Sequence, residues 1–294
     1  MKKSILLILI LFNTSLLSAQ ECNYIDNYYP LIFKAQIFYL EGKNELAYTS
    51  IKEAEKFCPL LNQSSIYEID ILAQVAIALD KKEEALNCIE LLVKNYGYKF
   101  SYFEEDPIYT TLKENTKWKI LKATSDSIYQ DYLKTINFDL KNELSIMTSE
   151  DQRVRQQPIN FDEMLKVDTK NENRLKEIIA QYGYPNEKLI GAFNFEINKA
   201  DISTMIFHLK DVAYWKPIFL NLIKKGEAPF NIYANLVDSN QRTIGMFIYK
   251  IYDNISSDKI IDVDNLDNRR VSVGLRTVEM QHRMMELKKI KYGF

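Results

Sequence analysis

Glycine, proline, cysteine and histidine are all scarce in this chain of 294 residues. Eight Gly and seven Pro are too few for the closely spaced turns of an all-β fold, so helices are favoured. Three Cys with no CxxC, beside two His, match none of the familiar zinc-ligand spacings. No metal and no cofactor is therefore expected. A phosphate loop, a Gly-rich dinucleotide loop, a serine in a nucleophile elbow and an HExxH helix are all missing. The common nucleotide enzymes and hydrolases lose weight, although a new kind of enzyme is not excluded. Basic residues are no more plentiful than acidic ones, 38 against 40. A phosphate backbone needs a basic surface, so nucleic acid is not an expected partner. Past the first dozen residues no apolar run approaches the roughly 20 residues of a membrane span, so none is expected.

What is present begins with an export pattern. Lys2 and Lys3 precede an unbroken apolar run from Ile5 to Phe12, and Leu17-Ser18-Ala19 offers a cleavage site. Residues 1–19 are read as a cleavable signal peptide, and the mature chain as a soluble periplasmic or extracellular protein. Gln20 and Glu21 stand where a lipid-anchoring signal needs small residues before Cys22, which argues against an anchor. Removing Lys2 and Lys3 leaves 36 basic against 40 acidic residues, a net charge near −4. An apolar content of 47% is enough for a packed core. Nineteen Tyr and fifteen Phe fall mostly at core spacing.

Between residues 28 and 61, Leu31, Ala35 and Phe38 share one helical face, and Ala47, Ile51 and Ala54 share the next. Pro59 closes the pair. This spacing resembles a tetratricopeptide repeat, in which small residues let two helices cross closely. A weaker copy covers about 66–99, with Ile69, Ala73 and Ala76, then Ala85, Ile89 and Leu92. Ser65 with Glu68, and Asp80 with Glu83, read as capping boxes. Asp106-Pro107 reads as a further helix start, a break is expected near Asn115, and a long helix is expected over 125–147. In a helical hairpin the start of the first helix meets the end of the second, so Cys22 and Cys58 are placed to form a disulfide, leaving Cys88 free.

From about Leu144 the pattern changes. Asp151-Gln152-Arg153-Val154-Arg155 is followed by Asp168, Asn171 and the stretch Leu175 to Pro185. Then come Ile190-Gly191, Phe207-His208, the Lys225-Gly226-Glu227 turn, Ala234 to Asp238, and Asn268 to Leu275. Taken in order, these elements resemble an uncharacterised bacterial family, the domain of unknown function numbered six-six-two-four. The resemblance covers nearly all of 144–280 and implies no established activity. Phe207 stands where the family usually has Gln, and Asp238-Ser239 replaces an Asp-Arg. The run after Gly245 is apolar where the family has Tyr-Gly-Thr-Gln. Helices are expected over 171–182, 197–209, 212–225, 229–237 and 278–290. Ile244 to Tyr252 alternates like a strand. The expected fold is mainly α: tetratricopeptide-like hairpins over 20–143, then an α-dominated domain over 144–294 with a small β element.

His208 is the one acid–base group expected near this core. Asp151 or Asp238 could pair with it, and Gln152, Arg155, Arg269 and Arg270 are the residues suited to hold a ligand. Two functions are compatible with this pattern. The first is an exported, non-catalytic interaction protein whose hairpins bind a protein or peptide. The alternative is an envelope hydrolase using His208 with an acidic partner.

Overall fold

A computed structural model describes residues 22–63, 65–191, 202–251 and 255–293. The signal-peptide reading, and residues 197–201 of the helix expected over 197–209, lie outside these residues; the described part of that segment is helical only over Ser203–Ile206. The fold is mainly α. A π-helical turn over Tyr24–Tyr28 runs into α1 (Tyr29–Leu40), which pairs with α2 (Asn44–Phe57). A second hairpin follows, α3 (Glu68–Ala78) with α4 (Lys82–Tyr96). Ala35, Ala47, Ala54, Ala73, Ala76 and Ala85 are all buried, as the small-residue spacing requires. Cys22 and Cys58 are bonded across the open end of the first hairpin, with Cα atoms 5.2 Å apart, and Cys88 is a buried free thiol.

The capping boxes do not form. Tyr67 takes a left-handed conformation before α3, Lys81 precedes α4, and neither helix start has a side-chain cap. Glu68 turns inward instead. It is fully buried, and its carboxylate accepts from the Gln63 amide at 3.0 Å. Asp106 caps as expected, but the segment it starts, Pro107–Leu112, is a 3-10 helix after the short α5 (Phe100–Glu105). Asn115 caps α6 (Thr116–Thr135), so the break near it is present.

The long helix expected over 125–147 is two helices. Ile136 is extended, and the Asn137 side chain caps α7 (Phe138–Arg153) by accepting from the Leu140 amide. The Asn137 amide itself donates to the Leu189 carbonyl at 2.9 Å, so the break is held from outside. Close approach also dictates Gly97, which ends α4 with φ +66°. A Cβ there would stand 2.1 Å from the Tyr132 ring, so α6 lies against bare backbone.

Beyond α7 come α8 (Phe161–Tyr182), α9 (Glu187–Ile190), α10 (Ser203–Ile206) and α11 (Val212–Lys224). The remaining helices are α12 (Ile232–Gln241), α13 (Leu266–Ser272) and α14 (Val278–Tyr292). The strand expected from Ile244 is absent among the described residues. Those residues form turns with a single bridge between Phe247 and Ile260. Asp238 and Arg270 account for this, because they satisfy the turn's backbone groups in place of a partner strand. One hydrophobic core runs from Tyr24 to Leu275 and includes both halves of the chain. Its seam is aromatic: Phe230 packs on Tyr29 and Phe33 with ring centres 5.8 and 5.1 Å apart. The last helix, α14, returns to pack on α1.

Candidate functional site

Three elements far apart in sequence meet at one polar cluster. Asp151 and Arg155 lie one turn apart at the end of α7, Asp168 projects from α8, and His208 comes just after α10. His208 Nδ1 is 3.0 Å from Asp151 Oδ1. Arg155 donates to His208 Nε2 at 3.0 Å, to the Asp151 carbonyl at 2.6 Å and to Asp168 Oδ1 at 2.5 Å. Its Nη1 is also 3.1 Å from Asp151 Oδ1. Gln152 closes the rim by donating to Asp151 Oδ2 at 2.7 Å. The side chains of Asp151 and Asp168 are only 1% and 5% exposed, whereas Arg155 and His208 reach 18% and 27%. The cluster is thus closed beneath and open at its imidazole edge.

The donors fix the tautomer. A guanidinium has no acceptor, so Nε2 of His208 must offer its lone pair to Arg155 and the ring proton must sit on Nδ1, facing Asp151. One Asp–His pair is thereby oriented as in a base-and-orienter arrangement, with the base nitrogen engaged by an arginine.

Ligand atoms from Asp151, Asp168 and His208 all lie within 4.8 Å of one another, a spacing that could hold a metal ion. The Arg155 guanidinium contacts all three and supplies the positive charge at that place. Counting His and Cys in the sequence could not reveal this set, because its members come from three segments. Asp168 was readable only as a family-like element, and nothing in its local pattern marks it as a partner of Arg155.

Asp238 is engaged elsewhere. Its carboxylate is fully buried and accepts from the amides of Ile248, Tyr249 and Ile251 at 2.9 to 3.1 Å. Burial raises its pKa above the ordinary carboxylate value, opposed by those three amides and by nearby Arg270. Arg270 donates to the carbonyls of Tyr249, Lys250 and Arg276. Arg269 donates to those of Ile248, Ile261 and Asp262. Asp238, Arg269 and Arg270 therefore pin one irregular segment by its backbone, and no hydrogen bond joins them to His208 among the described residues.

A second feature lies on the hairpins. A groove of about 720 Å³ runs across the first helix of each, from Tyr39 on α1 to Asp70, Gln74 and Ala78 on α3, then to Tyr102 on α5. Asp70 anchors its floor by accepting from the hydroxyls of Tyr102 at 3.1 Å and Tyr109 at 2.9 Å. Lys291 of α14 lies 3.6 Å from the Tyr39 ring centre at one side.

Helical hairpins joined to a helical unit with an internal Asp–Arg–His cluster define an all-α protein with two candidate sites. The chain belongs to a family of unknown function, DUF6624, whose profile matches residues 138–293 and so takes in every member of the polar cluster. No curated protein and no solved structure matches the chain. No helix among the described residues is long and apolar enough to cross a membrane.

Proposed function

We propose that this is an exported, non-catalytic interaction protein, in which degenerate tetratricopeptide-like hairpins bind an extended peptide. The boundary between the hairpin unit and the family unit is placed near residue 143. The observation that carries the reading is the groove on the first helices of the hairpins, with tyrosine walls and carboxamide and carboxylate groups along its floor. Tyrosines give large contact area at small entropic cost, and polar groups beside them can meet peptide backbone. Export is supported by the Cys22–Cys58 disulfide, since such bonds persist in oxidising compartments.

Ala78 offers a clean test, because it is exposed and lines the groove at the end of α3. Peptides selected from a displayed library against the full mature chain should bind wild type and be lost with Ala78→Arg. Equal binding by the two proteins would rule the groove out.

A hydrolase using His208 is the second reading, favoured by its 3.0 Å contact with Asp151. It requires Arg155 to release Nε2, the nitrogen that a general base would use. That engagement is what makes the non-catalytic reading the stronger one.

A further inference from the structure

Away from both features, a pocket of about 240 Å³ lies between α12, α13 and α14, with Ser65 of the hairpin unit at its edge. Its charged lining is of one sign: Arg270, Arg276 and Lys288. Arg270 is spent on backbone carbonyls. The other two differ. Arg276 is 5% exposed and lies between the rings of Phe33 and Phe230, 4.2 and 5.1 Å from their centres. It donates to Gln36 Oε1, while its buried Nε has no hydrogen-bond partner among the described residues. Lys288 is half-buried and forms no ion pair among the described residues. Burial, and then the charge of Arg276, pull its pKa below the ordinary lysine value.

The missing counter-charge is not hidden nearby. Glu68 is the carboxylate that acts on Arg276, but no ion pair joins the two among the described residues, and burial pushes that acid up to about 8. Two cations are thus held close together in a partly desolvated pocket without an anion. Such an arrangement is unfavourable by itself and becomes favourable when an anion bridges them. Asn231, just before α12, and Asn235 within it add two carboxamides to the same lining, and neither makes a side-chain hydrogen bond among the described residues. Phe230, Leu275 and Met284 supply an apolar wall.

We propose that this pocket binds a small organic anion, with its carboxylate or phosphate group on Arg276 and Lys288, its other polar atoms on Asn231 and Asn235, and its apolar part against Phe230. The site is separate from the peptide groove and does not depend on it.

The test is thermal stability and calorimetric binding of the full mature chain at neutral pH and fixed ionic strength. The probes are inorganic phosphate and butyrate, with sodium chloride as the reference. At least one probe should raise Tm saturably beyond chloride, and whichever does so identifies the headgroup as phosphate or carboxylate. Lys288→Gln, at a half-exposed position outside the core, should weaken that binding by about tenfold, the effect of losing one charge-assisted contact. Binding by wild type should also fade at alkaline pH, as Lys288 loses its proton. The proposal is overturned if neither probe exceeds chloride, or if Lys288→Gln binds as tightly as wild type.

Discussion

Arg155→Met removes the cation at the centre of the Asp151–Asp168–His208 cluster while keeping most of the side chain's apolar bulk. Two carboxylates with side chains 1% and 5% exposed then face one another without a counter-charge. Deleting one partner of a buried ion pair costs about 3–5 kcal/mol. The partial exposure of Arg155 and His208 admits some water, so the lower end of that range, ~3 kcal/mol, is expected here. Urea unfolding at neutral pH measures it, with an unchanged slope showing that the unfolded state is the same. Arg153 provides an internal control. It too bridges α7 to α8, 2.8 Å from Glu163, but both of those side chains are about half exposed. Arg153→Met should leave the midpoint nearly where it was. In a double-mutant cycle, Arg155→Met with Asp168→Asn should show coupling of at least ~1 kcal/mol. A loss below about 1 kcal/mol for Arg155→Met, or equal effects at 153 and 155, would refute the view of this cluster as a buried network.

Buried groups in the hairpin unit give three further expected outcomes. Reducing the Cys22–Cys58 bond frees a loop with a sequence separation of 36 residues, which by loop-closure entropy should cost about 4 kcal/mol; melting with and without reductant checks this. Thiol titration of the unfolded, unreduced chain should find one thiol, Cys88, which in the native state is buried with its pKa pushed up to about 12 and should not react. Glu68 should make stability depend on pH. Burial raises its pKa from 4.5 to about 8 in the folded chain, so between those values the native state holds a proton that the unfolded state has lost. Stability should therefore be greatest below about pH 4.5 as far as this group is concerned, decline as pH rises, and level off above about 8, a total on the order of a few kcal/mol. Glu68→Gln should flatten that slope in urea titrations, and an unchanged slope would remove Glu68 as its cause.

The features that could be read from the chain are those satisfied by near neighbours. Alanines repeating at helical spacing mark the two hairpins because a close helix crossing needs small residues whatever lies outside it. Asp106 and Asn115 cap as their local patterns require, since each reaches an amide two residues on. The disulfide was readable because a hairpin brings Cys22 and Cys58 together by its own geometry. Misreadings occur where a distant group takes over a local role. Glu68 has the spacing of a capping residue, yet Gln63 and Tyr28 draw its carboxyl into the core. Ile244 to Tyr252 alternates like a strand, yet the amides of Ile248, Tyr249 and Ile251 go to Asp238 and the carbonyls of Ile248 and Tyr249 to Arg269 and Arg270, which leaves the Phe247 bridge as the one sheet-like pairing among the described residues. The helix expected over 125–147 stops because the Asn137 side chain caps a new helix there, and the distant Leu189 carbonyl holds the Asn137 amide.

The polar cluster has both kinds of origin. Asp151 stands in the last turn of α7 and Arg155 in the turn just after it, four residues on, so their pairing is local in sequence. Asp168 and His208 join them only because α8 packs back on α7 and the segment after α10 crosses the same end. Glu172 shows what holds that crossing in place. It lies one turn beyond Asp168 on α8, and its carboxylate accepts from the amides of Lys210 and Asp211 and from the indole of Trp215 at 2.8 to 3.1 Å. Those amides begin two residues after His208, so the imidazole is positioned by the same helix that supplies Asp168. Replacing Glu172 would therefore loosen His208 without touching it. The Asp–Arg–His arrangement accordingly depends on the packing of α7, α8 and the segment after α10, and no short motif encodes it.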